Sequence, residues 1–262
     1  KLMSLQSFGE HDIEYSNELD PEGWLKHKGP ILSDLTKLDM AKTFHNKLSD
    51  QILDIIEKYV DIGENILITG GCAQNISWNT VFKQYFRNLL VTPHSADDGL
   101  SLGAIKWLAD KNKVKLERSQ FPYWQQDEAP EEPTQKTIKE TAQLLADGKI
   151  VGWYQGHGEV GPRALGNRSI LMNPMINDAK HIINTQVKHR EEFRPFGATI
   201  LKEHQKDYFK LDIYNPYMLY YDYVIKDVPA ITHVDSTCRY QTLGNENKVF
   251  RSLLEEFYKI TG

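Results

Sequence analysis

Cysteine is scarce in this chain: Cys72 and Cys238 are the only two among 262 residues. Two thiols so far apart make no disulfide framework, and they cannot build a metal site without other ligands. Long apolar runs are missing, and no stretch approaches the roughly 20 residues of a membrane-spanning helix. An excess of positive charge is missing too, since 36 acidic against 31 basic residues leave a formal net charge of −5. Sequence-independent binding to a phosphate backbone needs the opposite sign, so no nucleic-acid partner is expected. The opening residues, Lys1-Leu2-Met3-Ser4, show no apolar run of the signal-peptide kind. A reducing, cytoplasmic setting is the expectation. What is present is ordinary globular material, 40% hydrophobic and 26% charged, in a length that suits one large domain or two smaller ones.

Periodicity sorts the chain into two α/β units. Residues 1 to about 30 look irregular. Leu38, Ala41, Phe44, Leu48, Ile52 and Ile56 recur at helical spacing across 35–60. Short apolar runs at Asn65–Thr69 and Leu89–Thr92 read as strands, followed by helices over Asn75–Phe86 and Ser101–Ala109. Residues 116–134, with Pro122, Pro130 and Pro133 among Gln, Asp and Glu, read as a linker. A second unit, 135–262, opens with a helix over Thr137–Ala146 and a strand over Ile150–Tyr154. A helix over Asp178–Gln186 and strands near Ala198–Leu201 and Tyr217–Val224 follow. An amphipathic helix over Asn247–Ile260 runs into Thr261-Gly262. A C-terminal glycine directly after a helix, with the irregular start, leads us to expect a piece of a longer protein.

Positive charge is concentrated locally. Arg163, Asn167, Arg168 and Ser169 lie in a Gly/Pro-punctuated run from Gly161, and Lys188, Arg190 and Arg194 follow within Val187–Phe196. Arginine forks beside glycine, proline and small polar residues suit a phosphate or carboxylate; a solvated surface is the plainer alternative. Spacing allows Lys188, Arg190 and Arg194 to share one side of a strand. Gly70-Gly71 through Asn75 joins a strand to a helix, which is either an anion-facing turn or a plain βα connection. Asp97 and Asp98 precede a helix as metal ligands or as caps. His233 to Gln241, rich in polar and titratable side chains, is either a functional loop or a polar turn. Glu159 is a general base, an arginine partner or a structural residue.

Together these motifs resemble the O-carbamoyltransferase family, which includes nodulation-factor and antibiotic-tailoring enzymes. Trp153 to Leu171, with Gly-Pro-Arg-Ala-Leu-Gly-Asn-Arg-Ser at 161–169, carries most of the likeness. Val187–Phe196 resembles the family's next motif, and His233–Gln241 a third in which glycine usually stands at the Ser236 position. Gly70–Asn75 and Pro93–Gly103 resemble the end of its first domain.

The resemblance implies a partial actin/hexokinase-like (ASKHA) domain over 1–115 and a YrdC-like domain over 135–262. It implies a bacterial enzyme that makes carbamoyl adenylate from carbamoyl phosphate and ATP, then passes the carbamoyl group to a hydroxyl on a small molecule or saccharide. Lys188 and Arg190 would act catalytically. Arg163, Asn167, Arg168, Ser169, Arg194, His233, Asp235 and Arg239 would bind carbamoyl phosphate and ATP. Gly70, Gly71 and Asn75 would face a nucleotide, and Asp97 would ligate a divalent metal, iron or magnesium. The family's paired histidine ligands have no match in this chain, so the remaining metal ligands are expected outside it. The oligomeric state stays open, a homodimer included. Enzymes of tRNA threonylcarbamoylation or hydrogenase maturation share the two folds, but the acidic charge and the scarcity of cysteine weigh against them. A non-catalytic nucleotide-binding module is the remaining alternative.

Overall fold

A computed structural model describes residues 3, 6–10, 34–61, 63–86, 88–116, 121–129 and 131–262. Most of the stretch read as irregular, 1–30, lies outside them. The described residues form an α/β structure with four small sheets. Helix α1 (Asp34–Glu57) and helix α2 (Ile76–Tyr85) pack beside strands β1 (Asn65–Ile68) and β2 (Asn88–Val91), which pair in parallel. Asn75 starts α2 by accepting from the backbone N–H groups of Ser77 and Trp78, the capping that a short amide side chain does best. Helix α3 (Leu100–Lys111) follows. Asp97 and Asp98 sit in the 3₁₀ turn before it and give it no side-chain cap. The capping alternative for the aspartates is therefore not what the chain does.

The segment read as a linker holds strand β3 (Tyr123–Glu128). It pairs antiparallel with β5 (His157–Glu159) at its two ends only, with a register shift between them. Four of its six residues are Gln, Asp or Glu, so its sequence carries no apolar-polar alternation to see. Helix α4 (Gln135–Ala146) packs on the C-terminal helix α7 (Lys248–Thr261). Ile138, Ala142, Leu145, Trp153, Leu243, Phe250 and Leu253 form the core between them and strand β4 (Val151–Tyr154). Strand β4 pairs antiparallel with β6 (Arg168–Leu171). Helix α5 (Ala179–Ile182) runs into a π-helical turn over Ile183–Val187, and helix α6 (Gln205–Tyr208) is a single turn.

The fourth sheet, of three strands, has the order β7 (Gly197–Leu201), β9 (Thr237–Leu243), β8 (Tyr221–Tyr223). Strand β9 is central, parallel to β7 and antiparallel to β8. Part of the segment expected to be a loop, 233–241, is thus a buried strand. Its polar residues escaped notice as strand formers because their partners are internal. Gln241 donates to the Leu165 carbonyl (3.1 Å) and accepts from Thr199, while Thr242 donates to Gln205. Only 221–223 of the 217–224 stretch is strand. Leu219 and Tyr220 instead plug the core formed by Trp78, Phe82, Phe86, Leu89 and Val91. Asn79 donates to the Leu219 carbonyl (3.0 Å), and the Tyr221 N–H donates to Thr80 Oγ1 (2.9 Å). The two halves of the chain therefore share one core.

Gly166 shows how tightly the arginine-rich run is packed on α7. Its φ is +107°, and a Cβ there would lie 2.3 Å from Phe250 Cδ1. Gly166→Ala should therefore lower stability by about 2–4 kcal/mol, from left-handed strain plus overpacking. Thermal unfolding of the variant tests this; an unchanged melting temperature would contradict the packing described.

Candidate active site: a cation-lined cavity

The run Gly161–Ser169 is folded by a single buried carboxylate. Glu159 Oε1 accepts from the backbone N–H groups of Leu165 (2.7 Å), Asn167 (2.8 Å) and Arg168 (3.3 Å). Backbone donors gathered on one charged acceptor are stronger than neutral hydrogen bonds. Of the alternatives for Glu159, this is the structural one. The Leu165 carbonyl, held by Tyr123 and Gln241, fixes the loop from its other side. Gly161, at φ +103°, brings the loop against the first half of the chain, where a Cβ would lie 2.3 Å from the Pro93 carbonyl oxygen.

Residues of this loop face a cavity of about 1000 Å³. Of the side chains singled out in the sequence, Arg163, Arg168, Ser169, Lys188, Arg190, Arg194, His233, Asp235 and Arg239 line it. Three loops far apart in sequence are thereby brought together. Gly70, Gly71, Asn75, Asp97 and Asn167 do not line it. Asn167 is buried, with its amide accepting from Gln155 and Asn247 and donating to the His157 carbonyl, so it braces the loop instead of facing a ligand. Asn75 is committed to capping α2 and to His45. The Gly70 N–H donates to the Ser95 carbonyl (2.6 Å), and both glycines are exposed. Asp97 is exposed, and among the described residues no group of three His, Cys, Asp or Glu side chains is gathered to hold a metal.

The cations differ in what they have left to offer. Arg168 donates to the carbonyls of Gln155, Gly156 and Asn167 and stacks 3.6 Å from the Tyr154 ring centre, so much of its fork is spent on the loop itself. Arg163 has one long contact, to the Gln74 carbonyl (3.5 Å), and its buried Nε has no partner. Arg239, on the central strand β9, also has a buried Nε without a partner. Gly197, opposite it on β7, leaves the room it needs: a Cβ there would lie 3.1 Å from Arg239 Nε. Burial, with Arg163 and Arg190 nearby, pushes the Arg239 guanidinium down to about 9. Burial lowers Arg163, and burial with Arg194 lowers Arg190. All three remain charged at neutral pH. Among the described residues no carboxylate pairs with Arg163, Arg239 or Lys188. Arg194 reaches Glu191 only at 3.8 Å. Glu191 offsets part of the repulsion at Arg190, but cations outnumber carboxylates around the cavity, an imbalance that an anionic ligand relieves.

The cationic stretch is not a strand. Lys188 ends the π-helical turn, and 189–196 is irregular chain, so the three heads converge by loop geometry and not by alternation. Three non-glycine residues at or beside the cavity have left-handed backbones: Met218 (φ +55°), which lines it, His189 (φ +45°) and Ser236 (φ +61°). The backbone at Ser236 is one that glycine adopts without strain. Such strain gathers at sites where structure over-determines the backbone. Thr237, from the polar stretch 233–241, lines the cavity too, as do Lys180, Thr199 and Tyr221, which were not foreseen. They lie on elements whose relative placement is set only by the tertiary fold.

Fold and cavity together define an α/β protein with a cation-lined cavity. Comparison with known proteins gives the family. A model described as carbamoyltransferase N-terminus matches residues 4–105, and one described as carbamoyltransferase C-terminus matches 142–262. The chain belongs to the carbamoyltransferase family. It is 29% identical over 254 residues to nodulation protein NolNO of Sinorhizobium fredii, covering 86% of this chain and 37% of that protein. It is 35% identical over 212 residues to nodulation protein U of Rhizobium tropici (76% and 36%). It is 30% identical over 244 residues to 3′-hydroxymethylcephem-O-carbamoyltransferase of Streptomyces clavuligerus (88% and 46%). The chain thus spans 36–46% of the length of these relatives. No helix among the described residues is long and apolar enough to cross a membrane.

His45, from α1, also lines the cavity and is buried. Burial lowers its pKa; the hydrogen bond from Asn75 Nδ2 to Nε2 (3.1 Å) opposes that only if the Asn75 amide turns over. Turning over would break the cap on α2. Burial likewise lowers His233. A histidine depressed in the fold binds its proton more readily when unfolded, so stability is full above the ordinary histidine pKa and falls as pH drops through it. The melting temperature should therefore decline from pH 7 to pH 5, and less steeply in His45→Gln. A slope unchanged in that variant would remove His45 as a contributor.

Proposed function

We propose that this chain supplies the carbamoyl-activating site of an O-carbamoyltransferase that uses carbamoyl phosphate and ATP. The observation that carries the reading is the set of guanidinium groups of Arg163, Arg190 and Arg239 lining one cavity, none of them in a salt bridge with a carboxylate among the described residues. Carbamoyl phosphate brings a phosphate dianion and ATP a triphosphate, which is the charge such a set accepts. A volume of about 1000 Å³ is at the upper end for one small ligand and suits two substrates side by side. The family membership supports carbamoyl chemistry, and the name of the cephem-modifying relative supports a small hydroxyl-bearing acceptor. In finer terms, the fold reading is an actin/hexokinase-like portion followed by a YrdC-like domain.

The chemistry balances in three steps. Water cleaves carbamoyl phosphate to carbamate and phosphate. A carbamate oxygen attacks the α-phosphorus of ATP and displaces pyrophosphate, leaving carbamoyl adenylate. The acceptor oxygen then attacks the carbamoyl carbon, AMP leaves, and the hydroxyl proton passes to solvent or a base. Lys188 and Arg190 hold the phosphate that departs first. Arg163, Arg194 and Arg239 spread over the nucleotide phosphates, with Ser169 and His233 as neutral hydrogen-bonding groups. Asp235 is occupied in accepting from Thr237 (2.7 Å to Oγ1), so it shapes the rim. Preorganised cations act by stabilising charge as it moves between phosphates. Asp97 stands without companion ligands among the described residues, so no step is routed through a metal.

Labelled pyrophosphate should exchange into ATP only when carbamoyl phosphate is present. Lys188→Ala and Arg190→Ala should each slow that exchange about a hundredfold or more, the scale of losing one preorganised charge, with the fold intact by circular dichroism. A folded wild-type chain that neither binds carbamoyl phosphate nor exchanges pyrophosphate would overturn the proposal.

A further inference from the structure

The irregular chain that carries Lys188, Arg190 and Arg194 is built around one residue that no motif reading touched. Asn184 lies in the π-helical turn Ile183–Val187 and is completely buried. Its side-chain oxygen accepts from Arg190 Nε at 2.7 Å. Its amide donates to the carbonyls of Arg194 (3.0 Å) and Glu192 (3.4 Å), and its own carbonyl accepts the Arg190 N–H (3.0 Å). An asparagine inside a helix is locally unfavourable, because its short amide competes for backbone partners. Here that competition is the function. The π-turn lets the chain leave the helix, with His189 in a left-handed backbone, and the amide collects the departing loop.

The consequence falls on Arg190. A guanidinium has five N–H groups. Nε is held by Asn184, one Nη2 hydrogen points to the Pro195 carbonyl (3.3 Å), and one side of the fork lies 4.7 Å from the Phe196 ring centre. The remaining N–H groups, on Nη1 and Nη2, form the edge available to a ligand, and the residue lines the cavity.

We propose that Asn184 is a positioning residue, which fixes the Arg190 fork for the phosphate of the small anionic substrate. This rests on the reading of the cavity as a carbamoyl-phosphate site. Preorganising a long cationic side chain removes the rotamer entropy that binding would otherwise cost.

A double-mutant cycle on the full chain tests it, with the dissociation constant of carbamoyl phosphate read by calorimetry and that of inorganic phosphate as a stable probe. Asn184→Ala should weaken both anions about tenfold. In an Arg190→Ala background the same change should alter affinity less than about twofold, because its transmitter is gone. Asn184→Asp, nearly the same shape, keeps the acceptor for Arg190 Nε but adds a competing charge. It should also weaken binding, and its deficit relative to wild type should shrink as pH falls and the new carboxyl is protonated. Wild-type affinity in Asn184→Asp, or an equal loss from Asn184→Ala with and without Arg190, would overturn the inference while leaving the site reading intact. Failure of the wild-type chain to bind either anion would instead remove the site reading, and the inference with it.

Discussion

The buried carboxylate of Glu159 is the interaction on which the site depends. It turns three backbone N–H groups of the 165–168 stretch inward and satisfies them at once. A buried charge is tolerated only with such partners. Once the loop is closed around it, Arg163 is directed to the cavity, Arg168 is tied down beside Tyr154, and Gly166 meets Phe250. The negative charge is thus kept away from the cavity, on the far side of the loop that displays the arginines.

Asn184 does for the second cationic loop what Glu159 does for the first, with a neutral amide in place of a carboxylate. In both cases a polar group without exposure organises irregular chain, and the charged heads that meet solvent are passengers of that arrangement. Between them, the central strand β9 contributes Arg239 with a buried Nε that has no protein partner. The cavity therefore combines rigid placement with an excess of positive charge, which is how electrostatic preorganisation is stored in a fold.

Much of this was legible in the sequence, and the gaps have physical causes. Helices over 34–57, 76–85, 135–146 and 248–261 follow from apolar spacing, and the placement of Arg163, Lys188 and Arg190 on irregular chain follows from their loop-forming neighbours, but their convergence on one cavity does not. Strand β9 did not show, because Thr237, Gln241 and Thr242 are polar and become strand residues only when Thr199, Gln205 and Asp235 arrive to bond them. Strand β3 has two pairing points and no alternation. Asn167, Asn75 and Asn184 are chemically alike in sequence; burial makes one a brace, one a cap and one a holder of Arg190. Such differences are set by long-range packing, which composition and spacing do not carry.

Leu219 and Tyr220 lie more than a hundred residues from Trp78 in sequence yet sit in the same apolar cluster. The halves matched by separate family models are therefore interleaved, not strung side by side. A break in the 116–134 connection would leave them held by that shared cluster and by the bonds from Asn79 and Thr80. Strand β8 begins at Tyr221 on the cavity wall, so the plug ties the core of the first half of the chain directly to that wall.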